Sequence, residues 1–174
     1  MNAIKRVICL LATVSLASGV VLAQGQRPAP TPAQSAKGHF AGVNRRVLEM
    51  AKDFPAEKYD FRLKPEMRSF GELIVHIASG NFYAAKAGRG EKVKWDELNP
   101  KDYPTKEIVV ALMEKSISDA QATINTLPDE AFTKSVEPWL EVLEHSAEHY
   151  GLLVGYYRAN GLVPPASRPK TPAK

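Results

Sequence analysis

The chain has 174 residues, with 23 basic against 19 acidic side chains, a formal net charge of +4 and one cysteine. No basic run stands out along it, which excludes the electrostatic footprint of a nucleic-acid binder. The single cysteine, Cys9, lies in the first segment, so the rest of the chain has neither a disulfide nor a thiolate metal ligand.

The opening stretch "MNAIKRVICLLATVSLASGVVLAQ" has the order of a secretory signal. Lys5 and Arg6 form a positive start, Val7 to Leu22 is almost wholly apolar, and Val21 and Ala23 are small residues ahead of Gln24. The alternative, an uncleaved anchor, needs an apolar span of ~20 residues, and this run is short for that. The expectation is a signal peptide over residues 1–23 and a periplasmic or secreted protein, with no membrane contact after cleavage. Next comes "QGQRPAPTPAQSAKG", too poor in apolar residues to pack, read as a flexible linker over 24–37. The closing segment "PPASRPKTPAK" reads alike and gives a disordered tail over 166–174.

Residues 38–165 hold four helical patterns. The first runs from about Ala36 to Lys52, with Phe40, Val43, Val47 and Met50 at helical spacing, and Pro55 stops it. The second starts at Ser69, with Glu72 completing a capping box, and ends at Gly88 and Gly90. The third starts at Thr105, buries Val109, Met113, Ile117, Ala120 and Ile124, and closes at "LPDE". The fourth opens at Glu137-Pro138, with proline at the first helical position, and ends at Asn160, where Gly161 suits the C′ position. The apolar runs "LIVHI" and "EIVV" sit inside longer helical stretches, so length decides against strands. The expected fold is all-α, a four-helix bundle. Its second connection, "GRGEKVKWDELNPKDYP", is long enough to cross between parallel helices, and long bundle loops tend to carry function.

On the fourth helix, Pro138, Glu141, Val142, His145, His149, Leu152 and Tyr156 share one face, and the two histidines stand about one turn, ~6 Å, apart. Burying two imidazoles without partners is costly, and a divalent metal removes that cost by taking a lone pair from each. The alternative is that Glu141 or a tyrosine satisfies them. His76, inside the apolar "LIVHIA" of the second helix, adds a third inward imidazole, with Ser79 and Gly80 leaving room beside it. Three histidines with one open position are a catalytic rather than structural ligand set. "HSAEH" also fits an inverted zincin pattern, but no Asp or Glu follows Glu148 to complete it. His39, beside the linker, is a remote fourth ligand candidate. Glu141, Glu148 and Glu72 are candidate proton carriers, and the sequence does not choose among them. Trp139, Tyr83, Tyr103 and Tyr156 either line a pocket or fill the core.

"FPAEKYDFRLKPEMRSFGELIVHIASGNFY" and "LEHSAEHYGLLVGYYRANGLVPP" closely resemble the two signature segments of the DinB-like superfamily, and the likeness extends over about Gly38 to Pro165. The resemblance implies an up-down-down-up bundle with one divalent metal, zinc or nickel above others, at the matching His76, His145 and His149. It also implies frequent dimers. Some branches are thiol-dependent transferases or isomerases acting on electrophilic small molecules, and many members have no known activity. Export would separate this chain from cytoplasmic thiols, which leaves metal-dependent hydrolysis beside thiol transfer. The alternatives are a metal-binding or stress-related bundle without turnover, or a degenerate bundle that offers only a surface. A homodimer is expected through Ala147, Tyr150, Gly151, Val154 and Tyr157, an apolar face opposite the histidines. The other possible cover for that face is the long connection.

Overall fold

The computed structural model describes residues 28–169, and the segment read as a signal peptide lies outside them. Five α-helices are described: α1 (Pro32–Asp53), α2 (Phe70–Gly88), α3 (Lys106–Thr126), α4 (Asp129–Lys134) and α5 (Trp139–Ala159). The described residues contain no strand, only an isolated bridge between Arg62 and Ser69. None of their helices is long and apolar enough to cross a membrane.

α1 starts earlier than its apolar spacing suggests. Thr31 accepts from Gln34 N at 3.2 Å and donates its own N–H to Gln34 Oε1 at 3.0 Å, a complete capping box, with Pro32 in the first turn. Residues 32–37 are therefore helix rather than linker. Ala33 is buried, and Lys37 Nζ donates to Leu127 O at 2.8 Å. At the other end Arg168 Nη1 donates to Asp53 Oδ1 at 2.8 Å, so ordered contacts also run past the expected boundary at 165. The Ser69–Glu72 box opens α2 as expected, with bonds of 3.3 and 2.8 Å. All five α3 residues expected in the core are buried. α4 was not expected. Pro128 precedes it, Asp129 and Glu130 favour its first turn, and Phe132 anchors it in the core. Pro138 occupies the N-cap of α5 rather than its first turn. At its other end Gly161 N donates to Arg158 O at 3.1 Å and Leu162 N to Tyr157 O at 2.9 Å. This Schellman closure requires the φ of +69° that Gly161 adopts at low cost.

α2 is the central element, buried on most sides and packed on α3 and α5, while α1 packs on α5 and α3. The end of α1 meets the start of α2 where Phe54 stacks on Phe70, with ring centroids 3.8 Å apart. The end of α2 meets the later part of α3 where Arg89 Nη1 reaches Asp119 Oδ1 at 3.1 Å. Tyr157 near the end of α5 donates to Met50 O at 2.9 Å, near the end of α1. That last contact corrects the sequence expectation for the outer face of α5. Tyr157 is fully buried, within one chain, by α1. A Cβ at Gly155 would lie 3.7 Å from Leu63, in the α1–α2 connection. Neither a second subunit nor the long connection is needed there. Ala147 and Gly151 on the same face remain exposed.

Candidate metal centre

α2 carries His76 and α5 carries His145 and His149, and the contact between the two helices brings the three rings together. Their centroids lie 4.4 to 4.8 Å apart, and one ring nitrogen from each falls within 4.8 Å of the others. His145 Nε2 is 3.0 Å from His76 Nε2. Burial comes first, then His149, His76 and Arg68, in pushing His145 from 6.5 down to about 3. Burial followed by Arg68 lowers His76, against the pull of Glu97. Burial followed by His76 lowers His149, with Glu148 opposing. All three are neutral imidazoles near pH 7, each with a lone pair to give.

Two nitrogens, His145 Nδ1 and His149 Nδ1, are buried without a hydrogen-bond partner among the described residues. Buried polar groups are nearly always satisfied, so both rings carry an unmet polar demand. The three histidines could hold a metal ion, and the neutral nitrogen set fits a divalent one. His39 is exposed on α1 and outside this group.

The room beside His76 that Ser79 and Gly80 suggested is filled. A Cβ at Gly80 would lie 2.7 Å from Trp95 Cη2 and 3.0 Å from His145 Nδ1, so the glycine admits both rings. Trp95 comes from the long α2–α3 connection, and its ring lies 4.9 Å from His145 and 5.5 Å from Tyr83. The same connection brings Glu97 to His76 Nδ1 at 3.1 Å. Sequence reasoning named the connection but neither residue, since both act across space rather than at a spacing. The one available signal was a tryptophan in a mostly polar loop.

The triad borders two clefts. One, about 330 Å³, is lined by His76, Trp95, Glu141, Glu144, His145 and Glu148. The other, about 560 Å³, contains His149 together with Arg62, Arg68, Glu72 and Tyr156. Glu141 and Glu148 are thus beside the histidines, joined by Glu144, which the sequence did not single out. Glu72 is already engaged. Arg62 Nη2 donates to it at 2.6 Å, and that bond, reinforced by the Ser69 amide against the effect of burial, keeps its carboxyl below the usual range. A carboxylate so held is a poor proton carrier. Of the aromatic candidates, Trp139 is core, packed edge-on against Phe40. Tyr156 is also buried, with its hydroxyl donating to Arg68 O. Tyr83 is on the rim against Trp95, and Tyr103 lines a separate cleft at the start of α3.

No curated protein matches the sequence. The sequence model of the DinB superfamily does match, over residues 39–156, a stretch that includes all three histidines and the loop residues packed on them. The chain belongs to the DinB superfamily.

Proposed function

We propose that His76, His145 and His149 hold one divalent metal ion, zinc or nickel, in a small exported enzyme of hydrolase or thiol-dependent transferase type. The observation that carries this reading is the position of three neutral imidazoles at the junction of two clefts. A purely structural ion would be closed off by a fourth protein ligand, whereas an accessible triad leaves a position for substrate. Metal binding is typical of the superfamily. The up-down-down-up order accounts for the helix contacts and for the length of the α2–α3 connection.

A divalent ion in this position supplies Lewis acidity and lowers the pKa of a bound water or thiol. The protein's own groups do the rest. Glu141, Glu144 and Glu148 stand on one wall of the smaller cleft, where a carboxylate can accept or return a proton. Trp95 lines the same cleft, its ring 4.9 Å from that of His145.

The test is elemental analysis of purified protein, followed by assays on esters, phosphoesters and electrophile-plus-thiol pairs. One equivalent of metal is expected, lost in His145→Ala while the helical circular dichroism persists. Full metal retention in that variant removes the site, and metal without turnover in any assay leaves a binding protein. Export rests on the charged, apolar, small-residue order of residues 1–23. Protein recovered from its own host should begin at Gln24, and an intact Met1 on the mature species would refute cleavage.

A further inference from the structure

The two nitrogens of His76 have different neighbours. Nε2 faces His145 Nε2 at 3.0 Å, while Nδ1 lies 3.1 Å from Glu97 Oε1. An ionised carboxylate can only accept, so Nδ1 carries the hydrogen and Nε2 keeps its lone pair toward the other two histidines. Glu97 is itself restrained. Arg68 Nη2 donates to its two oxygens at 2.9 and 3.1 Å, and Arg68 Nε reaches Oε1 at 3.3 Å. Leu98 N, one residue on, donates to Ser79 Oγ at 3.0 Å, which pins the connection to α2 close to His76.

We propose that Glu97 is a positioning residue of this site. It holds His76 as the Nδ1–H tautomer and aims Nε2 at the ligand position, and Arg68 holds Glu97 where it can do so. The consequence for metal affinity rests on the triad being a metal site, but the tautomer does not. A carboxylate behind a metal-bound imidazole fixes the ring and raises its basicity, and losing one costs about 10–100-fold in affinity. The long connection is then part of the centre, since it supplies the group that orients the only ligand on α2.

The experiment uses the full-length protein in two forms. In the metal-free form, nitrogen-15 NMR of labelled histidine, assigned with His76→Gln, should show His76 protonated on Nδ1. Glu97→Ala should move it to a tautomeric mixture, whereas Glu97→Gln, which keeps an acceptor oxygen, should preserve it. In competition with a chelator, zinc should bind about 10–100-fold more weakly to Glu97→Ala, with Glu97→Gln and Arg68→Ala in between. An Nε2–H tautomer in the unmodified protein overturns the proposal, as does zinc affinity unchanged in Glu97→Ala. If the unmodified protein binds no zinc, the metal reading falls, and the tautomer alone decides the role of Glu97.

Discussion

Gly80 is where one missing side chain decides the arrangement of the site. In a helix interior alanine is favoured over glycine by about 1 kcal/mol, so on propensity alone Gly80→Ala should stabilise α2. The surroundings predict the reverse, because the new methyl would meet Trp95 at 2.7 Å and His145 at 3.0 Å. Overpacking of this kind costs about 1–3 kcal/mol. Gly80→Ala is therefore expected to lower the denaturant midpoint and to weaken metal binding by displacing the His145 ring. In a Trp95→Ala background the tighter contact is gone, and the same substitution should cost less. A double-mutant cycle measures this coupling, and stabilisation by Gly80→Ala in both backgrounds would show that Trp95 does not pack there. His76 was legible because an imidazole in an apolar run is conspicuous, and His145 and His149 because their spacing puts both on one helix face. Trp95, Glu97 and Glu144 were not, since nothing in a linear pattern tells which loop residue folds back or which glutamate borders a cleft.

At the scale of elements, the local chemistry of helix ends was the most readable part of the sequence. Ser69 with Glu72, Thr105, and the Gly161 stop all act within four residues of themselves, so the sequence alone contains the interaction. The start of α1 follows the same rule, since Thr31 and Gln34 have capping-box spacing, but the surrounding prolines and alanines resemble a linker by composition. α4 is only six residues long and too short to show a period. A further feature joins three elements and has no sequence signature. Asn81 on α2 donates to Asn44 Oδ1 on α1 at 3.0 Å and to Ser116 Oγ on α3 at 3.2 Å, with all three residues fully buried. Read singly, each is a polar residue in a helix. Together they form a bonded layer across the bundle that penalises any shift in helix register, because a shift would strand buried polar groups.

At the scale of the whole molecule, the fold holds three neutral imidazoles between α2 and α5, with His145 lying 69 residues after His76 in sequence, and this links its stability to pH. Burial is the leading cause of the depression at each of His76, His145 and His149, and it takes His145 from 6.5 to about 3. A histidine with a lowered folded-state pKa takes up a proton more readily in the unfolded chain. Stability therefore rises with pH between the two values and is flat above the unfolded one. The metal-free protein should accordingly hold its urea midpoint constant above pH 6.5 and begin to lose it below, in a window down to about pH 5 where ordinary carboxylates have hardly begun to titrate. Bound metal should deepen the loss, because protons compete with the ion for the same lone pairs. The control is a variant with all three histidines changed to glutamine, whose midpoint should stay nearly flat over that window. Equal acid sensitivity in the two proteins would place the effect elsewhere in the chain and show that these imidazoles are not buried in the neutral form.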